Sequence, residues 1–138
     1  MKLATHCLLF VVFVAFSLGI NAEDKISPQD VPGARTITAA EAKKLFDREV
    51  EFVDVRNDKD WDAGRIPGAI HLDLKKSFTE EELAKIVGKD TEVVIYCNGP
   101  KCLRSSEASA LAVKWGYKKI FYFRGGIPDW KAASYPIE

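Results

Sequence analysis

The sequence predicts an α/β domain of three layers, with a mainly parallel central sheet and helices on both faces. Short apolar runs alternate along the chain with segments whose apolar residues recur at helical spacing. One run, VVIYC, is apolar without interruption, as is typical of a strand buried on both faces of a parallel sheet. The composition, 47% hydrophobic and 29% charged over 138 residues, is that of one globular domain.

The first helix is predicted after an extended leading segment, 26–34. Thr38, with Glu41 three residues later, has the form of a capping box ahead of AAEAKKLFD, whose apolar residues have helical spacing. The strand EFVDV, 51–55, follows. Next comes WDAGRIPGAIHL, a stretch rich in turn residues that is expected to end in a short strand at 69–72.

The second half of the chain continues the alternation. Thr79 and Glu82 form a second capping pattern ahead of EELAKIVG, and we expect Gly88 to end that helix. The buried strand VVIYC, the loop NGPKC and a helix over about 104–115 come next. A strand at KIFYF and a short helix at IPDWKAA complete the predicted domain.

The first 22 residues have the pattern of a secretory signal peptide. Lys2 precedes an apolar run over 8–16, and small residues end at Ala22. The alternative is a membrane anchor, but the apolar run is shorter than the roughly 20 residues that a spanning helix needs. We therefore expect cleavage near Ala22 and a mature domain of 23–138.

Charge and ligand content argue against two classes of function. Lysine plus arginine and aspartate plus glutamate number 20 each, with the signs mixed and without a basic stripe, so no nucleic-acid partner is expected. Beyond Ala22 the cysteines and histidine are Cys97, Cys102 and His71, one ligand short of a typical zinc site. We expect no metal or other cofactor, and we expect His71 to make an ordinary hydrogen bond rather than act as a base.

Cys97 and Cys102 flank a loop between the buried strand and the following helix. Ligands of open α/β sheets bind beyond the carboxyl ends of the strands, and a helix N-terminus there lowers the pKa of a nearby thiol. Gly99 and Pro100 allow the loop to curl so that successive N–H groups point inward around an anion or a charged sulfur. A structural disulfide explains the pair equally well at this point.

The remaining candidate residues surround this loop. Backbone N–H groups of the loop are predicted to hold the negative charge, while Lys101 and Arg104 either attract an anionic donor or are solvated cations. The candidate substrate-binding residues are Asn98, Gly99, Pro100, Lys101, Leu103 and Arg104. We expect Asp54 and Arg56 to be a supporting pair that braces neighbouring loops.

Three motifs, in order, resemble those of rhodanese-like domains: DVRNDKDWDAGRIPGAIHL, VVIYCNGPKC and GGIPDWKAASYPI. The resemblance implies a sulfurtransferase, in which Cys97 takes a sulfane sulfur from a donor such as thiosulfate and holds it as a persulfide. A thiol or cyanide-like acceptor then removes it. The loop C-N-G-P-x-C-x-x-S, ending at Ser105, is similar to that of single-domain rhodaneses of bacterial envelopes. We therefore expect a periplasmic monomer whose acceptor is a small thiol or a periplasmic protein.

The sequence departs from the family pattern at Arg65, usually His, at Ser134, usually Gly, and at Cys102, where the loop often has Arg, Lys or Thr. The third departure bears on the chemistry. Cys102 either attacks the persulfide on Cys97, expelling sulfide and leaving a disulfide, or fills the loop as a small residue.

Three other functions are alternatives to sulfur transfer. The first is a thiol–disulfide oxidoreductase that uses the Cys97 and Cys102 pair, and the second is a non-catalytic sulfur carrier. The third, a phosphatase or arsenate reductase on the same scaffold, requires Arg at the sixth position after the cysteine. Leu103 occupies that position, so this alternative ranks low.

Overall fold

Strands and helices alternate along the computed structural model, which describes residues 25–138. The predicted signal peptide, 1–22, lies outside the described residues. The strands are β1 (Ala34–Thr36), β2 (Glu51–Asp54), β3 (Ile70–His71), β4 (Val93–Tyr96) and β5 (Ile120–Phe123). The helices are α1 (Ala39–Asp47), α2 (Asp58–Asp62), α3 (Glu80–Ile86), α4 (Arg104–Lys114) and α5 (Gly126–Ala132). Within the same residues, no helix is both long and apolar enough to cross a membrane.

The five described strands form one sheet in the order β1-β5-β4-β2-β3, and every neighbouring pair is parallel. This confirms the predicted parallel α/β architecture. All four residues of β4, at the centre, are buried. Asp54 at the end of β2 lies opposite Tyr96 at the end of β4, so the loops that follow these two strands lie side by side.

Helices cover both faces of the sheet. Successive side chains of β4 point to opposite faces, and each set packs against different helices. Val94 and Tyr96 belong to one apolar cluster, which includes residues of α1 and α5. Val93, Ile95 and Cys97 belong to the other, with residues of α3 and α4. The predicted three layers are therefore present, and Cys97 lies on the side of the sheet covered by α3 and α4.

The capping pattern of α1 was predicted correctly, and that of α3 only in part. Thr38 accepts a hydrogen bond from the Glu41 N–H at 3.2 Å, and the Glu41 carboxylate accepts one from the Thr38 N–H at 2.9 Å. Thr79 caps α3 through the Glu82 N–H. Helix α3 ends at an extended Val87, and Gly88 is not among the described glycines with positive φ, so the predicted glycine cap is wrong.

Gly126, at the start of α5, allows that helix to approach the end of β4 closely. Its φ is 55°, and a Cβ atom there would overlap the carbonyl group of Cys97. The same carbonyl accepts a hydrogen bond from the Ile127 N–H at 3.0 Å. The first residues of α5 therefore fix the backbone at the point where the loop after β4 begins.

We predict that Gly126→Ala destabilises the protein more than Gly68→Ala does. Gly68 also has a positive φ, 72°, but a Cβ atom there meets nothing within 4 Å. Gly68→Ala should therefore cost only the left-handed backbone penalty of about 1–2 kcal/mol, whereas Gly126→Ala adds displacement of the Cys97 carbonyl. Urea unfolding of both variants measures the difference, and equal losses would contradict the close approach.

Candidate active site

The loop after β4 brings the two predicted catalytic cysteines together. Cys97 is fully buried at the end of the strand, and Cys102 is partly buried just before α4. Their sulfur atoms form a disulfide, with the Cα atoms 6.4 Å apart. This separation lies within the range of roughly 4.4–6.8 Å that disulfides require. The structure therefore describes the oxidised form of the loop.

Between the cysteines, residues 99–102 form a β-turn. The Gly99 carbonyl accepts a hydrogen bond from the Cys102 N–H at 2.9 Å, and Pro100 and Lys101 are the central residues. Among the described residues other than glycine, only Glu49 and Ser134 have positive φ, so Lys101 has the negative φ of a type I turn. Gly99 has a φ of 99°, a conformation that glycine adopts without strain.

Only Cys102 and Leu103 separate the central residues of this turn from helix α4. Leu103, the N-cap residue, already has right-handed helical dihedral angles, and its side chain makes no capping hydrogen bond. The first N–H groups of an α-helix have no acceptor within the helix and carry the positive end of its dipole. The N–H groups of the first turn of α4 therefore lie directly after Cys102, whose own N–H is bound to the Gly99 carbonyl, and they are suited to holding a negative charge there.

A buried ion pair joins this loop to the one after β2. The Arg56 guanidinium donates to the Asp54 carboxylate, with the shortest distance 2.7 Å. It also donates to the Gly64 carbonyl at 2.7 Å and to Asn98 Oδ1 at 3.3 Å. Burial alone lowers the pKa of Arg56, but the hydrogen bonds and charge of Asp54 hold it above its ordinary value. The Arg56 guanidinium therefore remains charged and braces the loop at Asn98.

Asn98 connects the loop to a helix that the sequence did not predict. Its Nδ2 donates to Asp60 Oδ2 at 2.8 Å, and Asp60 lies in α2. Helix α2 is only five residues long, so it has no measurable apolar period. Its one local signal is Asn57, whose side chain accepts from the Asp60 N–H at 2.9 Å as an N-cap.

Arg104 forms a second ion pair and is therefore not free to bind a ligand in the loop. Its guanidinium donates to Asp73 Oδ1 at 2.7 Å and to the Val55 carbonyl at 3.3 Å. Burial alone raises the pKa of Asp73, but hydrogen bonds from the Lys75 N–H and from Arg104 hold that pKa below its ordinary value. Lys101, by contrast, is exposed on the loop.

His71 makes the ordinary contacts that the sequence suggested. Its Nε2 lies 2.8 Å from the Arg56 carbonyl, which can only accept, so Nε2 carries the proton. The ring stacks on Trp61 with the centroids 4.7 Å apart, and Nδ1 lies 4.0 Å from an Asp58 carboxylate oxygen. These contacts hold the imidazole beside α2.

Two further features near the loop were missed by sequence reasoning. The Pro100 carbonyl accepts a hydrogen bond at 2.7 Å from the N–H of Ser27, in the leading segment. On α4, the hydroxyl groups of Ser105 and Ser109 are buried and have no hydrogen-bond partner among the described residues. The sequence signal for the contact between Ser27 and Pro100 is weak, because the residues around Ser27 are exposed and show no periodicity.

Comparison with known proteins identifies a family model, "Rhodanese-like domain", that matches residues 38–133. An HTH-type transcriptional regulator of Mycobacterium tuberculosis is 30% identical over 120 residues, covering 85% of this chain and 51% of that protein. A tRNA uridine(34) hydroxylase of Enterococcus faecalis is 28% identical over 119 residues, covering 82% and 36%. The chain thus spans about half or less of these curated relatives.

Solved structures show the same fold. A human single-domain sulfurtransferase matches with a TM-score of 0.62 at 22% identity, covering 72% of this chain and 96% of that one. A Rhodopseudomonas palustris protein, described as of unknown function and a possible tyrosine phosphatase, matches with a TM-score of 0.65 at 30% identity, covering 76% and 85%. These two descriptions point to different chemistries on one scaffold.

We predict that Asp73→Asn destabilises the protein in a pH-dependent way. Because folding lowers the pKa of Asp73, its contribution is complete above the ordinary value of 3.8 and is lost as the pH falls through the folded value. At neutral pH the variant should lose roughly 1.5–3 kcal/mol, the range for hydrogen bonds to charged groups. The difference from wild type should shrink below about pH 4. Urea unfolding from pH 3 to pH 7 measures it.

The matched control for that experiment is Asp90→Asn. Asp90 pairs with Lys118 at 3.2 Å, but both side chains are largely exposed, so this change should lower stability by less than about 1 kcal/mol. If Asp73→Asn shows the same loss at every pH, the Asp73 carboxylate does not hold Arg104 through its charge.

Proposed function

Because the chain belongs to the rhodanese-like family, whose model matches residues 38–133, we propose that it is a sulfurtransferase that carries a sulfane sulfur on Cys97. The observation that supports this most directly is the position of Cys97. It directly follows the buried central strand β4 and begins the curled loop that leads to the N-terminus of α4. Such a position stabilises a thiolate, which is the reactive form of cysteine.

In the proposed first step, the reduced Cys97 thiolate attacks the outer sulfur of thiosulfate. The bond between the two sulfur atoms of thiosulfate breaks, and sulfite leaves with the electron pair. Cys97 then carries a persulfide, whose negative charge is held by the start of α4 and by the N–H groups of 98–103 other than that of Cys102, which is bound to Gly99. Lys101, exposed on the loop, attracts the anionic donor. An acceptor thiolate or cyanide attacks the outer sulfur and restores the Cys97 thiolate.

We propose a second step for Cys102. Its thiolate attacks the inner sulfur of the Cys97 persulfide, expels hydrosulfide and leaves the loop disulfide, by ordinary exchange chemistry. The Cys97–Cys102 disulfide supports this step because it requires that the two sulfur atoms reach each other. A dithiol reductant must then open the disulfide, taking up the oxidation, before Cys97 accepts another sulfur.

The alternatives have less support from the loop. A thiol–disulfide oxidoreductase would use the same disulfide without a sulfane sulfur, and a sulfur carrier would lack turnover. A phosphatase requires Arg at the sixth position after the cysteine, but Leu103 lies there, and the next residue, Arg104, is paired with Asp73. We do not propose the activities of the longer curated relatives for this chain, because it matches only about half or less of their length.

The proposed setting of this chemistry follows from the sequence. A signal peptide over 1–22 directs the domain to the periplasm, where it acts as a monomer. The donor is a small sulfane compound, and the acceptor is a small thiol or a periplasmic protein thiol. Such a compartment is oxidising, which is the condition under which a loop disulfide forms and a dedicated reductant is needed.

We predict that the reduced protein gains the mass of one sulfur atom when it is incubated with thiosulfate, and that cyanide or a thiol removes it. Cys97→Ser should abolish the gain, because the serine hydroxyl is not ionised at neutral pH and forms no persulfide. Intact-mass spectrometry measures the adduct, and circular dichroism confirms that the variant is folded. Near-normal sulfur transfer by Cys97→Ser would overturn the assignment of the nucleophile.

We predict that Cys102→Ser still forms the persulfide but keeps it severalfold longer than wild type does. The serine cannot attack the inner sulfur, so neither hydrosulfide nor the loop disulfide should form. Time-resolved intact mass and a colorimetric sulfide assay follow the two products in wild type and variant. An unchanged persulfide lifetime in Cys102→Ser, with sulfide still released, would rule out a resolving role.

A further inference from the structure

A segment at the start of the described chain crosses the active-site loop. We refer to residues 25–30 as the strap. Most of the strap is exposed, with Ile26 62% accessible, but Ser27 is only 3% accessible. At this buried position the Ser27 N–H donates to the Pro100 carbonyl at 2.7 Å. The strap therefore contacts the loop through the main chain, at the centre of the turn between the two cysteines.

Side chains from the sheet hold the strap by its own carbonyl groups. Arg124, directly after β5, donates to the Ser27 carbonyl through Nε at 3.2 Å and Nη2 at 2.9 Å. The Tyr122 hydroxyl donates to the Pro28 carbonyl at 3.0 Å. The Ser27 hydroxyl is buried without a hydrogen-bond partner among the described residues. Ser27 is therefore held on both sides of its backbone, by Arg124 at the carbonyl and by Pro100 at the N–H.

The contact with Pro100 determines the direction of one loop N–H group. In a trans peptide the carbonyl and the following N–H point in opposite directions, so holding the Pro100 carbonyl toward the strap points the Lys101 N–H away from it. Rotation of this central peptide would convert the type I turn into type II. That rotation would break the bond to Ser27 and force Lys101 into positive φ, which is unfavourable for lysine.

We propose that Arg124 is a positioning residue for the candidate active site. Acting through Ser27, it keeps the Lys101 N–H directed away from the strap, so that this N–H and those of the first turn of α4 are available to the Cys97 sulfur. The inference rests on the proposed function only in taking these N–H groups to stabilise the reduced Cys97 thiolate. Two hydrogen bonds from one guanidinium to one carbonyl suit this task, because charge-assisted hydrogen bonds are the stronger ones.

The test measures thiolate reactivity in the full-length protein, without a sulfur donor. The protein is reduced and alkylated with iodoacetamide at a series of pH values, and mass spectrometry of the peptide that contains Cys97 gives the rate. Arg124→Leu should move the midpoint of the pH profile upward by about one unit, which is roughly a tenfold slower alkylation below the midpoint. Arg124→Lys, which keeps a cationic donor, should recover part of this loss.

Three further variants serve as controls and as a second route to the same result. Arg48→Leu removes an arginine that pairs with Glu92 on the surface and should leave the profile unchanged. Ser27→Ala should also leave it unchanged, because the strap bonds use the main chain. Ser27→Pro removes the N–H donor itself and should reproduce the shift of Arg124→Leu.

The outcomes separate positioning from a merely structural role. A lower melting temperature of Arg124→Leu with the pH profile of wild type would overturn the proposal. If Arg124→Leu does not fold, Ser27→Pro decides, and an unshifted profile there overturns it as well. A shifted profile in a protein that transfers no sulfur would support the positioning role and count against the proposed function, so the two failures are distinguishable.

Discussion

The buried guanidinium of Arg56 is the contact on which the geometry of this edge of the sheet depends. It binds the carboxylate of Asp54, the carbonyl of Gly64 and the side chain of Asn98, while its own carbonyl accepts from His71. Both charges of the ion pair are almost completely removed from water. Leaving such a charge without its partner costs about 3–5 kcal/mol. The ends of β2, β3 and β4 are therefore held in one arrangement.

Three carbonyl groups of the loop after β4 are held by hydrogen bonds. The Cys97 carbonyl is bound by α5, the Pro100 carbonyl by the strap, and the Gly99 carbonyl by the Cys102 N–H within the turn itself. Two of these carbonyl groups are thereby bound from outside the loop, and the N–H groups that the turn does not use are left for a ligand. This division of the backbone is what a site for a negatively charged sulfur requires.

Local patterns were sufficient to predict most elements, including the two-residue strand β3, but not strand β1 or helix α2. Strands β4 and β5 are apolar runs, and the Thr38 and Glu41 box is a pattern within four residues, so both are readable from sequence. Strand β1 has only three residues at the edge of the sheet, and its alternating exposure follows a segment rich in proline and glycine. A strand of this kind is stabilised by pairing with β5, which no local signal reveals.

In the candidate site, too, contacts between residues close in sequence could be predicted, and contacts between distant residues could not. Cys97 and Cys102 stand in one loop and could be identified together, and Asp54 and Arg56 are two residues apart. The pairs that fix the loop from outside join residues that are distant in sequence. Asp73 and Arg104 are separated by 31 residues, Asp60 and Asn98 by 38, and Ser27 and Arg124 by 97. Such contacts are set by the parallel register of the sheet and not by any local pattern.

The use of the arginines bears on which chemistry the loop suits. Arg56 is bound to Asp54, Arg104 to Asp73 and Arg124 to the Ser27 carbonyl, so all three guanidinium groups already have partners within the protein. A phosphoryl group is a dianion with several oxygen atoms, and proteins usually bind it through bidentate hydrogen bonds from arginine. A persulfide carries a single negative charge on one sulfur atom, and backbone N–H groups together with a helix dipole are sufficient to stabilise it. The chain shares its fold with a protein described as a possible tyrosine phosphatase, but these arginines are not free to hold a phosphoryl group, and this favours sulfur transfer.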